Sequence, residues 1–366
     1  MKVTILREEF LPALQIVNGV VERRQTLPIL SNLLLNTGPQ GIQLTGTDME
    51  VELSVHINKP QKESGEITLP ARKLLDICRT LPEGASLNLQ GDGDRMNVKS
   101  GKSRFTLSTL PAQEFPLIEM ADRVAEFKLP QSALKNLLDR TAFAMAQQDV
   151  RYYLNGLLLE AGNDWVRAVA TDGHRLALCE CAAKGTQGKF GGIIVPRKGV
   201  LELIRLLDDV DDEINVEISN NHIRVDLGDF RFTSKLIDGK FPDYERVIPR
   251  EGESPLVADR ELVRQGLIRA SILSNEKYRG VRLSLKKNSL LALAHNPEQE
   301  EAEEEMEVDY SGEDMEVGFN VSYLLDALGI IQSDKVHITI TDPSSSALIL
   351  PDNETSCKYV VMPMRL

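Results

Sequence analysis

One amphipathic segment occurs three times along this chain of 366 residues. It reads LPARKLLDICRTLPEGASLNL from residue 69, VPRKGVLELIRLLDDVDDEINVEI from residue 195 and FNVSYLLDALGIIQSDKVHI from residue 319. The central leucines Leu75, Leu201 and Leu325 give the spacing, 201 − 75 = 126 and 325 − 201 = 124. A period of this length predicts three copies of one domain rather than a solenoid of short repeats.

Other landmarks keep the same register. Thr47-Asp48 recurs as Thr171-Asp172 and, less closely, as Asn296-Pro297, each time after an apolar run. Phe115-Pro116 recurs as Phe241-Pro242 at 241 − 115 = 126. The predicted domains are residues 1–120, 127–245 and 254–366, and each is long enough to bury a core of its own.

Each copy combines helical and alternating apolar periodicity, which predicts an α+β fold with two helices packed on two β-sheets. The predicted helices are residues 8–20, 69–81, 131–146, 197–207, 259–273 and 321–330. The predicted strands of the first copy are residues 2–6, 30–36, 42–47, 51–57, 86–90, 96–100 and 103–109. Residues 115–125 and 244–255 are predicted linkers, and residues 182–192 a hairpin tip.

Composition narrows the possible functions. The net charge of −13 argues against a conventional tight nucleic-acid binder, although it does not tell where the charges lie. No stretch of about 18 apolar residues occurs, and the N-terminal sequence MKVTILREEF lacks the apolar run of a signal peptide. We therefore expect a cytoplasmic protein with no membrane partner.

The four cysteines, Cys78, Cys179, Cys181 and Cys357, show no Cys-x-x-Cys spacing. Cys179 and Cys181 share one strand face, but no further Cys or His pair lies near them to complete a zinc site. We predict reduced cysteines that serve in packing, and neither a metal nor a cofactor.

No catalytic signature is present, neither a phosphate-binding loop, a dinucleotide glycine pattern nor a zinc-protease or serine-hydrolase motif. An enzyme would have to use Asp172 and His174 of ATDGHRLAL as an acid–base pair. No nucleophile or metal partner accompanies them, so a turn in which Gly173 adopts an unusual backbone angle is the favoured reading. The prediction is a protein without enzymatic activity.

The chain carries complementary charge at two places. The acidic run EQEEAEEEME begins at Glu298, and Lys99, Lys102 and Arg104 flank the apolar Phe105 in the first copy. Arginines and lysines also recur on the predicted helices of all three copies. Dispersed positive charge with few base-reading side chains is typical of sequence-independent phosphate contact.

Several long motifs together resemble a known family. They are RYYLNGLLLE, ATDGHRLAL, VPRKGV, FPDYERV, NPEQEEAEE and the terminal VVMPMRL. The chain closely resembles, over its whole length, the beta sliding clamp of bacterial DNA polymerase III. The resemblance implies three tandem clamp domains in a head-to-tail homodimer, a closed ring around duplex DNA that tethers the replicative polymerase.

The resemblance also implies two groups of site residues. The DNA-facing positions are Arg24, Arg72, Lys73, Gln148, Tyr152, Tyr153, Arg197 and Lys198. The dimer-interface positions are Lys99, Lys102, Arg104, Phe105, Leu107, Ile272, Leu273, Glu298, Glu300, Glu301, Glu303 and Glu304. The third copy has fewer matches among the DNA-facing positions.

A groove for short apolar peptides is the third implied site. Its residues are Leu154, Thr171, Gly173, His174, Arg175, Leu176, Pro242, Arg246, Val247, Tyr323, Ser346, Val360, Met362, Pro363, Met364 and Arg365. The expected peptides come from polymerases, the clamp loader and repair proteins. The first copy has Met49-Glu50 in place of Gly173-His174, so we expect it to lack such a groove.

Two other functions remain as alternatives to a processivity factor. One is a static, sequence-independent DNA-binding protein, and the other is an enzyme using Asp172 and His174. Retention on circular DNA separates the first alternative from a clamp, because only a closed ring depends on the topology of its template.

Overall fold

The structure is a computed structural model that describes residues 1–21, 27–120, 122–188, 191–250, 252 and 254–365. The helices in these residues are α1 (Arg7–Val17), α2 (Ala71–Thr80), α3 (Gln131–Asp139), α4 (Arg197–Leu206), α5 (Arg260–Ser271) and α6 (Val321–Ile330). The second helix of each copy, α2, α4 or α6, begins 126 and then 124 residues further along, at residues 71, 197 and 321. The starts of these three helices are therefore separated by the same numbers of residues as the repeated leucines in the sequence.

The strands follow the same repeat. The first copy contains β1 (Lys2–Leu6), β2 (Asn32–Gly38), β3 (Gly41–Thr47), β4 (Val51–Ile57), β5 (Gly65–Pro70), β6 (Ser86–Asp92), β7 (Arg95–Ser100) and β8 (Ser103–Ser108). The second contains β9 (Arg123–Pro130), β10 (Gly156–Ala161), β11 (Trp165–Thr171), β12 (Arg175–Ala182), β13 (Lys184–Gly188), β14 (Ile193–Pro196), β15 (Glu213–Ser219), β16 (His222–Leu227) and β17 (Phe230–Lys235). The third contains β18 (Leu256–Asp259), β19 (Gly280–Lys286), β20 (Ser289–His295), β21 (Glu301–Glu307), β22 (Met315–Asn320), β23 (Lys335–Thr339), β24 (Ala347–Pro351) and β25 (Cys357–Val361).

The chain forms two compact units that do not coincide with the three copies. The first unit is Met1–Ser132, Lys184–Phe190 and Lys198–Leu236, and the second is Ala133–Ala183, Gly191–Arg197 and Ile237–Leu366. The second copy thus contributes one of its sheets to each unit.

The first unit contains two antiparallel sheets. One has the strand order β1-β6-β7-β8, and the other has the order β13-β9-β15-β16-β17-β4-β3-β2-β5. The larger sheet runs from the second copy into the first through the pair of β17 and β4, in which Phe232 lies opposite Leu53. Helices α1 and α2 pack on each other, and α1 also packs on β3 and β4, burying Phe10 and Leu14.

The second unit is organised in the same way. Its sheets have the strand orders β14-β10-β11-β12-β25-β24-β23-β18 and β21-β20-β19-β22. The larger sheet joins the second and third copies through β12 and β25, with Leu176 opposite Val360. Helix α5 packs on α6 and on strands β20 and β21.

The buried helix positions differ by one residue from the leucines that revealed the repeat. Leu74, Val200 and Leu324 are at most 2% exposed. By contrast, Leu201 is 46% exposed, although Leu75 is buried. The repeated leucine register therefore marks the helix but not, in every copy, its buried stripe.

Helix α3 is shorter than predicted, because it ends at Asp139 and a 3₁₀ turn follows at Ala142–Ala144. The hydroxyl of the fully buried Thr141 donates to the Leu137 carbonyl at 2.7 Å. A β-branched hydroxyl residue that bonds the preceding turn in this way competes with continuation of the helix. The prediction of a helix to residue 146 was wrong for this reason.

The segment predicted as a hairpin tip, residues 182–192, contains strand β13, which pairs with β9. Two further strands, β5 and β14, were not predicted either. Each is short and ends in a proline at the start of the copy's second helix. Strand β2 begins two residues later than predicted, since Pro28–Ser31 forms a 3₁₀ turn.

The cysteine prediction was wrong for two of the four residues. Cys179 of β12 and Cys357 of β25 lie opposite each other with their Cα atoms 4.1 Å apart and form a disulfide. The pairing could not be read from spacing, because the two residues are 178 positions apart and meet only when the second and third copies share a sheet. Cys78 and Cys181 are free.

Candidate peptide groove and nucleic-acid surface

The turn between β11 and β12 begins one wall of the predicted groove. The Thr171 hydroxyl accepts the Gly173 N–H at 3.0 Å, and the Asp172 carboxylate accepts the backbone N–H groups of His174 and Arg175 at 2.9 and 3.0 Å. Gly173 has a φ of 84°, a conformation that glycine adopts without steric cost. These bonds leave the His174 side chain exposed at the surface of the turn.

The side chain of Arg151, which lies outside strands β11 and β12, also supports this turn. Arg151 donates to the Asp172 carbonyl at 3.0 Å and to the Asp149 carboxylate at 2.8 Å. The Arg151 guanidinium lowers the pKa of Asp149 to about 2, so the pair stays ionised at neutral pH. Asp172 thus holds the turn, and its carboxylate accepts the backbone N–H of His174.

Arg175 connects elements of the second and third copies. Its guanidinium donates to the Asp172 carboxylate at 3.1 Å, to the Phe143 carbonyl at 2.9 Å and to Asp326 of α6. The same group lies 4.6 Å from the centre of the Tyr323 ring and 5.3 Å from that of Phe143. A planar guanidinium fixed by so many partners is a structural connection between the two copies rather than a free cation.

The residues predicted to form the floor of the groove are apolar and buried. Leu154, Leu176 and Val360 are at most 3% exposed and belong to one buried cluster with Phe241 and Tyr244. Val247 and Met362, by contrast, are 55% and 48% exposed. Exposed apolar side chains such as these are typical of protein surfaces that bind a partner.

The C-terminal segment continues this surface. The Met362 N–H donates to the His174 carbonyl at 2.9 Å, and the Met364 N–H donates to the Gly318 carbonyl at 2.8 Å. The rings of His174 and Tyr323 stack with their centres 6.3 Å apart. All sixteen predicted groove residues lie in the second unit, where Pro242, Arg246 and Arg365 are exposed and Ser346, Pro363 and Met364 are half-buried.

One residue of this surface was missed in the sequence. Tyr278 is 56% exposed and lines, with Met364 and Arg365, a cavity of about 990 Å³ that extends to His295. The signal was present, since Tyr278 is the counterpart of Leu154 in the third copy, 278 − 154 = 124 residues later.

The first copy has the same turn at Thr47, Asp48, Met49 and Glu50. The Thr47 hydroxyl accepts the Met49 N–H, and the Asp48 carboxylate accepts the next two backbone N–H groups, all at 2.7–3.0 Å. Met49 has a φ of 74°, where Gly173 has 84°. The Lys235 N–H donates to the Glu50 carbonyl at 2.8 Å, as Met362 does to His174. The turn alone therefore does not distinguish the junction of the first and second copies from the junction of the second and third copies.

The two junctions differ in the paired strand residues that correspond to Leu176 and Val360. Glu52, the counterpart of Leu176, is 8% exposed, and Thr233, the counterpart of Val360, is fully buried. The Glu52 carboxylate accepts the Ile118 N–H at 2.8 Å, and burial raises the pKa of this carboxyl. The position of the first copy that corresponds to the predicted apolar floor is therefore polar, and it is bonded to the segment that follows Phe115.

The predicted DNA-facing residues lie in different settings. Arg72 and Lys73 are exposed on α2 of the first unit, and Lys198 contacts the Asp48 carboxylate there. Among the residues of the second unit, Gln148 and Tyr152 are exposed, Tyr153 is half-buried against Tyr152, and Arg197 donates to the Met145 carbonyl at 3.3 Å. Arg24 lies outside the described residues.

The predicted dimer residues lie at or near two sheet edges, except Ile272 and Leu273, which directly follow helix α5. Strand β8 is an edge strand of the first unit, and on it Arg104 is exposed and Phe105 is half-buried. Lys102 in the preceding turn and Lys99 of the neighbouring strand β7 are also exposed. Leu107 is 7% exposed and belongs to the core of the first copy. An unpaired edge of this kind can accept another strand.

The second edge is acidic. Strand β21 is an edge of the second unit; Glu298, Glu300, Glu301 and Glu303 are exposed there. Arg269 donates to both oxygens of Glu304 at 2.9 and 2.8 Å, and this bond lowers the pKa of Glu304. Ile272 is 73% exposed next to the half-buried Leu273.

Neither a metal cluster nor a membrane span is found in the part of the chain that the structure describes. No group of three or more His, Cys, Asp or Glu side chains there is placed to hold a metal ion. No helix among the described residues is both long and apolar enough to cross a bilayer.

Comparisons with known proteins cover the whole chain. Residues 1–119, 128–243 and 245–365 match the models of the N-terminal, central and C-terminal domains of the DNA polymerase III beta subunit. The chain is 55% identical to the beta sliding clamp of Pseudomonas putida and 52% identical to that of Escherichia coli K12, with both chains covered in full.

Solved structures of the same family are also similar to the chain. The DNA polymerase III beta subunit of Pseudomonas aeruginosa is similar with a TM-score of 0.97 at 54% identity, and that of Caulobacter crescentus with 0.94 at 40%. A Pseudomonas aeruginosa sliding clamp bound to griselimycin gives a TM-score of 0.96 at 54% identity. Each comparison covers 100% of both chains.

Proposed function

The chain belongs to the DNA polymerase III beta-subunit family of sliding clamps, and from that premise we propose a processivity factor that encircles duplex DNA and tethers the replicative polymerase. The observation that carries the proposal is the apolar floor of Leu154, Leu176 and Val360 beside the turn at Gly173. This site suits the binding of a partner, with Asp172 committed to holding the turn. The proposed role is therefore tethering, without catalysis, in the cytoplasm.

The groove is proposed to bind short apolar peptides of polymerases, the clamp loader and repair proteins. Flexible methionines at positions 362 and 364 suit peptides of different shape, because thioether side chains repack at low cost. Arg175 holds the turn and α6 together, so the walls are formed before a peptide arrives. Preformed walls reduce the ordering cost of binding.

The DNA contacts are proposed to be electrostatic and independent of sequence. Arg72 and Lys73 project from α2 as exposed cations, and Tyr152 offers an exposed ring. Contacts to phosphate alone weaken as salt rises and carry no base preference. Topology, rather than affinity, would then retain the protein on DNA.

Ring closure is proposed to pair the basic edge of one protomer with the acidic edge of its partner. Strand β8 would meet strand β21, both of which end their sheets within one chain. Because Leu107 is already buried in its own core, Phe105 and Ile272 would supply most of the apolar contact. Opposite charge around such a centre favours the head-to-tail pairing.

Retention on circular DNA tests the clamp role. The protein is loaded by a clamp loader onto a nicked circular plasmid, separated from free protein by gel filtration, and the plasmid is then cut once. We expect co-elution with the circle and release after linearisation. Equal retention on both forms would identify a static DNA-binding protein instead.

A matched pair of variants tests the groove. His174→Ala should weaken binding of a fluorescent polymerase-derived peptide about tenfold, since the exposed ring is stacked on Tyr323 beside the floor. Glu50→Ala changes the equivalent position of the first copy's turn and should bind as the unmodified chain does. Equal affinities of the two variants would place the peptide site elsewhere.

A further inference from the structure

The cross-strand cysteine pair has a position that the tethering role does not explain. Cys179 belongs to the central domain and Cys357 to the C-terminal domain, and their disulfide spans 178 residues of sequence. We propose that the pair is a reversible thiol–disulfide exchange site that covalently fastens these two domains, with low-molecular-weight disulfides and thiols as its reactants.

The pair lies where strands β12 and β25 separate. It is the last residue pair in the register of these strands, and only one backbone bond, from the Glu180 N–H to the Ser356 carbonyl at 2.9 Å, lies beyond it. Both cysteines are 1% exposed in the closed ladder. Ladder ends open more readily than ladder centres, so a small reagent reaches the sulfurs without unfolding of the sheet.

The surroundings favour one cysteine as the reactive sulfur. Arg140 Nη1 lies 3.4 Å from Cys357 Sγ and also contacts the Glu354 carboxylate. A neighbouring guanidinium stabilises a thiolate over a thiol, which promotes both attack by this sulfur and its departure. The Cys179 sulfur instead lies 3.9 Å from the neutral Tyr359 hydroxyl.

The exchange is balanced without a further reactant. The Cys357 thiolate attacks one sulfur of a dissolved disulfide, a thiolate leaves, and a mixed disulfide forms. Cys179 then gives up its proton and attacks the Cys357 sulfur, releasing the second thiolate. Two protein thiols lose two protons and two electrons, and the reagent takes them up as two thiols.

The remaining cysteines serve as internal controls. Cys181 lies on β12 opposite Val166, and burial raises the pKa of its thiol to about 11. Cys78 lies in the core of the first unit, where burial raises the thiol pKa to about 12. Neither is oxidised in the structure, so both should remain thiols throughout the exchange.

The test equilibrates the folded full-length chain with glutathione buffers from fully reduced to fully oxidised. Samples are quenched with acid, alkylated in urea and weighed by mass spectrometry. We expect a single transition from four alkylated cysteines to two, with residues 179 and 357 protected by peptide mapping. The oxidised chain should unfold at a higher temperature than the reduced chain, because a closed loop restricts the unfolded state.

Variants sharpen the result. Cys181→Ser should keep the transition, whereas Cys357→Ser should abolish it, and the mapping on the unmodified chain does not depend on either variant folding. Four alkylated thiols at every glutathione ratio would overturn the proposal. A bond that resists reduction until the protein unfolds would overturn its reversibility.

Discussion

Replacement of Arg175 by alanine should destabilise the second unit by about 3 kcal/mol. The substitution removes hydrogen bonds to the Asp172 carboxylate, whose side chain is 17% exposed, and to the Phe143 carbonyl. Hydrogen bonds of a charged group contribute about 1.5 kcal/mol each at the lower end of their range, and two of them give this estimate. The contact with Asp326 is left out, because that carboxylate is 46% exposed and regains water.

The measurement uses a built-in probe. Trp165 is the chain's single tryptophan and lies in the second unit on β11, the strand that precedes the Asp172 turn. Urea unfolding followed by its fluorescence therefore reports on the part of the molecule that the substitution changes.

The matched control is Arg282→Ala. Arg282 lies in the same unit, but its ion pair with Glu316 is 3.8 Å long, and the two side chains are 45% and 59% exposed. Such a pair contributes at most about 1 kcal/mol. Equal urea midpoints for the two variants would refute the view of Arg175 as the connection between the turn and α6.

Three further predictions concern the other sites. Raising the salt concentration should increase the monomer fraction in analytical ultracentrifugation, and an unchanged profile would contradict an electrostatic contribution to the ring interface. Deletion of residues 364–366 should impair processive synthesis while the dimer still forms, which primer extension and gel filtration measure together. Glu52→Gln should raise stability at pH values above the ordinary pKa of a glutamate, because burial raises the folded-state pKa of Glu52 and its ionisation at higher pH costs stability; the difference should vanish in denaturation curves at lower pH.

The repeat could be predicted from the sequence because each copy has a helix with a similar spacing of apolar residues. The segments at residues 71, 197 and 321 form ten-residue helices in the structure, as their apolar spacing requires. The end of α3 could not be predicted, since the hydroxyl of Thr141 decides it by bonding a carbonyl that the helix would otherwise use.

Contacts between copies could not be predicted from the periodicity of the sequence. Periodicity assigns residues to faces within a copy, whereas Cys179 meets Cys357, and Arg175 meets Asp326, only because strands of different copies pair. The resemblance supplied the groove residues, but Tyr278 was recognisable only as the counterpart of Leu154. The positions assigned to the groove, to DNA contact and to dimer contact stay predictions.

The shared sheets set a limit on how the molecule can be divided. Strand β17 pairs with β4 and strand β12 with β25, so a fragment cut at the ends of the middle copy would lose a neighbour on both flanks. Its newly bared strands would carry unsatisfied amide groups and such apolar residues as Phe232 and Leu176, and strands of this kind drive aggregation. The middle copy therefore depends on both of its neighbours for the pairing of its strands.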